Sequence, residues 1–301
     1  TPMRIILTGP TASGKTDLSL RLAELLNCPI ISADSRQCYR YMNIGTGKVT
    51  SKDMGEIPHY NISIFGPDEK DDAAAFAERC KHWEAEIAKT SPHVIYAGGS
   101  TLYLEALLRP LDDLPKASTE NLLELERLER MEGQEYMLNQ LRKADPEYAD
   151  RMEGYNRQRL FRALDVWMQT GKPFSSFHKS RQKNILPGTL VFGIPHPREI
   201  LYDRINKRVD NMITSGLIDE VRGILDMGYK AEDHALQTVG YREVISYFNE
   251  KLTREEMIEK IKTNTRRYAK RQLTWFRRWD FLQWLKEDDQ LTMINNQLSR
   301  Q

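Results

Sequence analysis

The sequence predicts an α/β fold: a three-layer core with a parallel sheet, plus a mainly helical insertion domain. Short apolar segments alternate with stretches whose apolar residues recur at helical spacing, which is typical of βα units. The composition changes near residue 115 and returns to a strand pattern at 189. We therefore expect the first part of the core at 1–115, the insertion at 116–188, and the second part of the core, with basic C-terminal helices, at 189–301.

Composition excludes several classes of protein. The 301 residues carry a formal net charge of +1, so the whole chain has no general attraction for polyanions. We find no stretch close to the ~20 apolar residues that a membrane-spanning helix needs, and no signal peptide. Three cysteines, Cys28, Cys38 and Cys80, lack the spacing of a metal site. We expect a cytoplasmic protein with reduced thiols and no membrane partner.

The first βα unit contains the phosphate-loop (P-loop) pattern G-x-x-x-x-G-K-[ST]. Its residues are Gly9-Pro10-Thr11-Ala12-Ser13-Gly14-Lys15-Thr16. An apolar strand, 4–8, precedes the loop, and leucines on one helical face follow it. Backbone N–H groups and the helix N-terminus favour bound phosphate, and we expect Lys15 to reach the terminal phosphate and the Thr16 hydroxyl to hold Mg²⁺. The loop alone does not distinguish transfer, hydrolysis and departure of the phosphates.

Two further predicted strands end beside this loop. The strand 29–32 is followed by Asp34, which is equally compatible with a helix N-cap and with a catalytic carboxylate. After it, residues 43–70 are predicted to be loop, and 72–89 to be a helix. The strand 93–97 is followed by Gly98-Gly99-Ser100 and lacks the acidic residue with which NTP-hydrolysing P-loop proteins hold Mg²⁺. This argues against an ordinary ATPase or kinase.

The insertion combines acidic and basic segments. Residues 116–150 contain a predicted helix, and 151–183 carry eight Lys or Arg residues with interleaved aromatic residues. A solvated surface and a nucleic-acid surface both fit this pattern, and aromatic residues favour the second because bases stack on them. The cations are Arg151, Arg157, Arg159, Arg162, Lys172, Lys179, Arg181 and Lys183, and Phe174, Phe177 and His178 lie among them.

After the insertion, a strand at 189–194 returns the chain to the core, and a long helix with the apolar stripe Leu201 to Ile213 follows. Arg198, Arg204 and Arg208 lie on or near this helix, and either solvent or a diphosphate is open as their partner. A T-x-x-E capping box at Thr253 starts the next long helix. The segment 265–279 carries six cations with interleaved aromatic residues, the strongest nucleic-acid signal in the chain.

These features together resemble the bacterial tRNA dimethylallyltransferases, also called tRNA isopentenyltransferases. The matching segments keep the family's order and span nearly the whole chain, and only the P-loop is widely shared by other proteins. They are 9–16, 34–39, 98–103 (Gly-Gly-Ser-Thr-Leu-Tyr), 157–164 (Arg-Gln-Arg-Leu-Phe-Arg-Ala-Leu), 239–243 (Val-Gly-Tyr-Arg-Glu), and 268–272 (Tyr-Ala-Lys-Arg-Gln) through 275–277 (Trp-Phe-Arg).

The resemblance implies transfer of the dimethylallyl group of dimethylallyl diphosphate to the exocyclic N6 amine of the adenosine just 3′ of the anticodon. Diphosphate is released, Mg²⁺ is required and ATP is not. The P-loop then cradles a leaving group, which explains the missing acidic residue. Asp34 matches the family's general base, and Ser100 stands where the family usually has threonine. Lys15, with Thr16-bound Mg²⁺, would stabilise the leaving diphosphate.

The resemblance also implies which residues hold the anticodon stem-loop of tRNA, the macromolecular partner. We expect a monomer. The matching positions are Asp34, Ser35, Arg36, Gln37 and Ser100; Gln158, Arg159, Leu160, Phe161 and Arg162; Gln237, Thr238, Val239, Gly240, Tyr241 and Arg242; and Lys270, Arg271, Gln272, Leu273, Thr274, Trp275, Phe276 and Arg277.

The chain departs from the family pattern at 45–49, which reads Gly-Thr-Gly-Lys-Val rather than Gly-Thr-Ala-Lys-Pro, and at the Pro-His-containing segment 58–62. Both segments lie outside the transfer chemistry. Three rival functions share part of the pattern. A small-molecule kinase would need the missing acidic residue, an isopentenyltransferase for free adenine nucleotides would not need two basic regions, and a non-enzymatic RNA-binding protein would leave Asp34 idle.

Overall fold

The fold is taken from a computed structural model, which describes residues 1–110, 114–179 and 184–301. Two of the basic residues predicted for the insertion, Arg181 and Lys183, lie outside the described residues, as do the side chains of His178 and Lys179. Within the described part of the chain, no helix is both long enough and apolar enough to cross a membrane.

The described strands form one six-stranded sheet in which every neighbouring pair is parallel, with the order β3-β2-β4-β1-β5-β6. The predicted α/β class with a parallel sheet is confirmed. The strands are β1 (Met3–Thr8), β2 (Ile30–Ser32), β3 (His59–Tyr60), β4 (His93–Ala97), β5 (Thr189–Gly193) and β6 (Leu282–Trp284).

Helices alternate with these strands, and a short 3₁₀ helix covers His234–Gln237. The α-helices are α1 (Lys15–Leu26), α2 (Ser51–Met54), α3 (Ala73–Ile87), α4 (Thr101–Leu108), α5 (Thr119–Ala144), α6 (Pro146–Arg151), α7 (Arg157–Thr170), α8 (Phe174–Lys179), α9 (Arg198–Thr214), α10 (Leu217–Asp226), α11 (Tyr241–Phe248), α12 (Arg254–Phe276) and α13 (Gln290–Leu298).

The chain divides into two compact units. The first comprises residues 1–108 and 185–301, and the second comprises 109–184. The predicted insertion covers 116–188. The second unit begins before residue 116 and ends before residue 188. The first unit holds all six strands that the structure describes.

The sheet of the first unit is covered on both faces, which makes it a three-layer structure. Alternate residues of β1 point to opposite faces, as the two-residue period of a strand requires. Ile6 packs in a cluster with residues of α3, α4 and α12, whereas Ile5 and Leu7 pack with residues of α1 and α13. All three side chains are completely buried. This central position fixes the end of β1, from which the P-loop begins.

A second apolar cluster of the first unit lies among α9, α10, α11 and α12 and includes Cys38, Tyr39 and Met42 from the segment after β2. The predicted capping box is confirmed at the start of α12, where Thr253 and Glu256 cap each other's backbone N–H groups. Residues 43–70, predicted as loop, also contain α2 and β3. These elements have four and two residues, too short for a periodic pattern to reveal.

The second unit is helical, as predicted. Its core joins α5 and α7, with Met137 and Leu141 packed against Leu160 and Phe161. The long helix α5 is interrupted at Gly133, whose φ of 83° lies in the left-handed region that favours glycine. Leu123 and Met131 on this helix are exposed.

Candidate active site

The P-loop leaves the carboxyl end of β1 and enters α1 at Lys15. Its turn depends on Gly9, because a Cβ there would lie 2.9 Å from Ser13 Oγ and 3.2 Å from the Ile194 carbonyl oxygen. Ala12 adopts a left-handed φ of 63°, which is costly for a residue with a side chain. The loop therefore holds a conformation that its surroundings must support.

Three side chains support the loop through its backbone. The Thr11 N–H donates to Gln272 Oε1 at 3.0 Å, Arg204 Nε donates to the Ala12 carbonyl at 2.7 Å, and His196 Nε2 lies 2.8 Å from the Ser13 carbonyl. Because a carbonyl only accepts, His196 donates from Nε2. These three contacts use one backbone N–H, that of Thr11, and two carbonyls. The N–H groups at the start of α1 therefore remain available to an anion.

A cavity of about 700 Å³ opens over the loop, within the ~300–1,000 Å³ usual for ligand pockets. Its lining carries six basic side chains against two acidic ones, so its potential favours an anion. The basic residues are Lys15, Arg36, Lys48, Arg204, Lys207 and Arg208, and the acidic residues are Asp17 and Asp34.

Lys15 is held against the loop by two backbone carbonyls. Its Nζ donates to the carbonyls of Gly9 and Pro10, at 3.0 and 2.7 Å. Burial, helped by the nearby Arg208 guanidinium and opposed by Asp34, lowers the pKa of Lys15 from 10.5 to about 7. A bound diphosphate would add negative charge beside this amine and would restore its protonated form.

Arg208 of α9 faces the same cavity. Its Nη2 lies 3.5 Å from the Thr46 carbonyl, and a Cβ on Gly47 would overlap its guanidinium. Burial and the neighbouring Arg36 lower the pKa of Arg208, while Asp34 opposes the shift. Two guanidinium groups and a lysine thus converge with few counter-charges, an arrangement that suits an anion.

Asp34 follows β2 and lines this cavity. Its Oδ1 accepts the backbone N–H groups of Arg36 and Gln37, at 2.8 and 3.2 Å. No helix begins at this position, so Asp34 caps a turn rather than the helix that the sequence allowed, and Oδ2 faces no hydrogen-bond partner among the described residues.

The residues after Asp34 fix the turn. Arg36 Nη1 donates to the Val239 carbonyl at 3.1 Å, and Gln37 Nε2 donates to the Thr46 carbonyl at 3.1 Å. Ser32 Oγ donates to Gln37 Oε1. Asp34 through Gln37, Ser35 included, are half-buried. All four predicted positions thus lie at the cavity or beside it, as the end of a parallel strand requires.

Ser100 lies at the start of α4 and is only 8% exposed. Its backbone N–H donates to the Ala33 carbonyl, and its hydroxyl makes no hydrogen bond among the described residues. Gly99, directly before it, contributes to the cavity lining. Because β4 lies beside β1, with Ala97 opposite Leu7, this turn reaches the P-loop from the neighbouring strand. That position carries no carboxylate in this chain.

The predicted RNA segments of the first unit contain both exposed and buried residues. In 237–242, Gln237 and Arg242 are exposed, Thr238 and Val239 are half-buried, and Gly240 and Tyr241 are buried. In 270–277, which spans the end of α12 and the residue after it, the exposed residues are Lys270, Arg271, Thr274 and Arg277, the half-buried residues are Leu273 and Trp275, and the buried residues are Gln272 and Phe276. The side chains of Tyr241, Phe276 and Gln272 are therefore interior groups rather than parts of an exposed surface.

The predicted RNA segment of the second unit, at the start of α7, shows the same division. Gln158 and Arg159 are exposed, whereas Leu160 and Phe161 belong to the core of that unit. Arg162 donates to Asp165 at 2.8 Å and to the Pro115 carbonyl. The arginine is thereby committed to a structural ion pair, and the exposed pair remains as the candidate contact.

Several cavity residues were not assigned from the sequence. Arg204 and Arg208 lie four residues apart and so share one face of α9, a spacing that identifies a cationic pair but not its partner. Tyr268 lines the cavity one turn before Gln272. Arg198, the third arginine left open, lies over the Tyr202 ring at 5.1 Å. Only the packing of the helices against the P-loop shows that Arg204 and Arg208 line the cavity, whereas Arg198 lies over Tyr202.

The donors near Thr16 suit Mg²⁺. A smaller cavity of about 50 Å³ is lined by Thr16, Asp34 and Ser32, among others, and so places hydroxyl and carboxylate oxygens together. No group of three or more His, Cys, Asp or Glu residues that could hold a metal is present in the described chain. A cavity with so few oxygen ligands suits an ion that keeps most of its waters and binds substrate phosphates, as Mg²⁺ does.

Comparison with known protein families gives one match over most of the chain. Residues 37–279 match the model of the family described as IPP transferase. The match begins three residues after Asp34 and so leaves out the P-loop and Asp34; it contains the turn at Ser100 and the helices α9 and α12, which contribute to the lining of the cavity.

Curated relatives match over nearly their whole length. A tRNA dimethylallyltransferase of Clostridioides difficile is 42% identical over 285 residues, which are 94% of this chain and 91% of the relative. A tRNA dimethylallyltransferase of a Thermoanaerobacter species is 40% identical over 290 residues, 95% of this chain and 92% of the relative.

Solved structures show the same fold. A tRNA delta(2)-isopentenylpyrophosphate transferase from Staphylococcus epidermidis superimposes with a TM-score of 0.73 at 36% identity, covering 100% of this chain and 99% of that one. A eukaryotic dimethylallyltransferase acting on tRNA gives a TM-score of 0.86 at 24% identity, covering 100% of this chain and 80% of the other. At that identity the second likeness supports the fold alone.

Proposed function

The chain belongs to the IPP transferase family, and from this premise we propose that it prenylates tRNA. The dimethylallyl group passes from dimethylallyl diphosphate to the exocyclic N6 amine of the adenosine 3′ of the anticodon, and diphosphate leaves. The observation that carries the proposal is the sharing of one cavity by a cationic P-loop and the Asp34 carboxylate. The cationic P-loop suits the leaving diphosphate, and the Asp34 carboxylate suits the acceptor amine.

The diphosphate lies on the P-loop in this proposal. N–H groups at the start of α1, Lys15, and the guanidinium groups of Arg204 and Arg208 provide donors and positive charge on several sides. As the carbon–oxygen bond breaks, negative charge grows on the departing diphosphate. Groups already aimed at that charge lower the barrier because they need no reorganisation.

Asp34 acts on the acceptor. An exocyclic adenine amine is a poor nucleophile because its lone pair is delocalised into the ring, so it gains from losing a proton as it attacks. The free Oδ2 of Asp34 takes the proton from N6, the N6–carbon bond forms, and the electron pair of the broken carbon–oxygen bond leaves with the diphosphate. The hydrogen bonds from Arg36 and Gln37 to Oδ1 hold the carboxylate in place for this step.

The Thr16 hydroxyl would hold Mg²⁺ together with the diphosphate oxygens. When bound, the ion supplies positive charge to the leaving group. Lys15 completes the neutralisation from the side of the loop, where the Gly9 and Pro10 carbonyls orient its amine. Ser100, which stands where the family usually has threonine, keeps the hydroxyl that such a site uses and lacks one methyl group.

The RNA reaches the cavity through exposed cations in this proposal. Lys270 and Arg271 on α12, Arg277 directly after that helix, and Arg242 provide charge for phosphate contacts. Gln158 and Arg159 are the candidate contacts of the second unit. The target adenosine is stacked in the anticodon loop, so it must leave the stack to enter a cavity. We expect Tyr268, which lines the cavity, to stack against the displaced base.

The experiment that tests the function measures diphosphate release. Protein, Mg²⁺ and dimethylallyl diphosphate are incubated with an anticodon stem-loop transcript, and with a matched transcript that has guanosine in place of the target adenosine. We expect release only with the adenosine transcript, and none from ATP. Release from ATP, or equal release with both transcripts, would contradict the proposal.

A further inference from the structure

We propose that Gln272 is a positioning residue that holds the P-loop and the Gly98–Ser100 turn in fixed relation. This extends the proposed function and rests on it, since the P-loop holds the leaving group of that reaction and the turn ends at Ser100, whose hydroxyl belongs to the same site. The resemblance of α12 to the family had suggested tRNA contact for this glutamine. Its burial and its partners instead give it a role inside the protein.

The side-chain amide of Gln272 uses both of its ends. Oε1 accepts the Thr11 N–H at 3.0 Å, and Nε2 donates to the Gly99 carbonyl at 2.8 Å. Thr11 offers only a donor and Gly99 offers only an acceptor, so one orientation of the amide satisfies both. A carboxylate would repel the Gly99 carbonyl, and an apolar side chain would serve neither.

The contact is too close for any residue but glycine at position 99. A Cβ on Gly99 would lie 2.5 Å from Gln272 Nε2 and 2.8 Å from the Gly9 carbonyl oxygen. Three chain segments therefore meet here with no spare space: the P-loop, the turn after β4, and α12. Gln272 is 4% exposed, so water competes little for these hydrogen bonds.

The consequence for chemistry is geometric. Because Gln272 occupies the Thr11 N–H, the anion cradle consists of the groups after it, at the start of α1. Because Gln272 also fixes Gly99, the adjacent Ser100 keeps its place relative to that cradle. A misplacement of ~1 Å between reacting groups can cost on the order of 10²-fold in rate.

The test compares Gln272→Met and Gln272→Glu with the wild-type protein. Methionine keeps the length and removes both hydrogen bonds, whereas glutamate keeps the acceptor for Thr11 and opposes the Gly99 carbonyl. Gln297→Met on α13, away from the cavity lining, is the matched control. Three quantities are measured per folded molecule: the affinity for inorganic pyrophosphate by calorimetry, the affinity for the anticodon stem-loop, and the turnover number kcat.

We expect both Gln272 variants to lose pyrophosphate affinity, by roughly 10-fold, and kcat, by roughly 10- to 100-fold. RNA affinity should stay within about threefold of wild type, and Gln297→Met should change none of the three quantities. Loss of RNA affinity with unchanged pyrophosphate affinity would overturn the proposal in favour of an RNA contact. A lower melting temperature with unchanged pyrophosphate affinity and kcat per folded molecule would overturn it in favour of a merely structural role.

Failure of the proposed function is separable from failure of this proposal. If the wild-type protein transfers no prenyl group, the function is wrong, and the pyrophosphate arm, which needs no RNA, still decides the role of Gln272. Unchanged pyrophosphate affinity in both variants would then reject it. If Gln272→Met does not fold, Gln272→Glu carries the test, because it keeps one of the two hydrogen bonds.

Discussion

At the scale of single residues, the site depends on side chains whose atoms have separate tasks. Asp34 is the clearest case, since Oδ1 is used by two backbone N–H groups and Oδ2 remains free among the described residues. Because the two oxygens have different partners, two substitutions of Asp34 can distinguish its contribution to the turn from its contribution to proton transfer. An alanine removes both functions, whereas an asparagine keeps the acceptor oxygen and loses the base.

We expect Asp34→Asn to lower turnover by on the order of 10²–10⁴ while the anticodon stem-loop still binds. Asp34→Ala should lower turnover at least as far and should also reduce thermal stability, because the Arg36 and Gln37 N–H groups lose their acceptor. Turnover is measured as diphosphate release and binding by fluorescence anisotropy. Near-normal turnover in Asp34→Asn would remove Asp34 as the general base.

At the scale of secondary-structure elements, α10 organises the loop that follows Asp34. Glu220 accepts the backbone N–H groups of Asn43, Ile44 and Gly45 at 2.9 to 3.3 Å, and the Tyr241 hydroxyl at 2.7 Å. One carboxylate thus fixes a wall of the cavity and the start of α11. Burial and the adjacent Glu220 carboxylate raise the pKa of Tyr241, so its hydroxyl stays a donor.

Glu220→Gln should destabilise the protein by about 1–3 kcal/mol, because an amide NH₂ would face backbone donors and leave some of them without an acceptor. Pyrophosphate affinity should fall as well, since Gly47 of this loop packs against Arg208. The matched control is Asp219→Asn, the same chemical change on the exposed side of α10, which should stay within ~0.5 kcal/mol of wild type. Chemical denaturation measures the stability of both variants, and calorimetry measures their affinity for pyrophosphate. Equal effects of the two variants on stability would contradict the role of Glu220.

Helix α12 has an exposed basic side and a buried side, and we assign the exposed side to RNA. Changing both Arg271 and Arg277 to alanine should weaken stem-loop binding and reduce the dependence of log Kd on log salt concentration by about one to two units. A double alanine variant at Lys81, exposed on α3, and Lys89, exposed two residues after that helix ends, removes the same charge elsewhere and should leave the slope unchanged. An unchanged slope in the arginine variant would mean that α12 is not the RNA surface.

At the scale of the whole molecule, the sequence predicts what depends on local pattern. The P-loop, the strands β1, β2, β4 and β5, the capping box of α12 and the helical second unit all have such patterns. The parallel sheet confirms the strands, two hydrogen bonds confirm the capping box, and the P-loop segment lies between β1 and α1 as its pattern requires. The strands β3 and β6 have two and three residues, and their pairing depends on neighbours far away in the chain.

Part of the candidate site could also be predicted from the sequence. Asp34 and the residues at the ends of β1 and β4 follow from the rule that parallel strands end at one edge of the sheet. The inward positions of Arg204, Arg208 and Gln272 depend on how α9 and α12 pack against the loop. A sequence pattern shows that an arginine pair shares a helix face, but only tertiary packing shows what that face meets.

The measurement that tests the central claim most directly is mass spectrometry of an unmodified tRNA anticodon stem-loop after incubation with the protein, Mg²⁺ and dimethylallyl diphosphate. A parallel sample receives ATP in place of the prenyl donor, and a third contains free AMP in place of RNA. We predict one added dimethylallyl group on the single adenosine 3′ of the anticodon, and no modification in the other samples. Modification of AMP but not of RNA, or phosphate release from ATP without prenylation, would contradict the account.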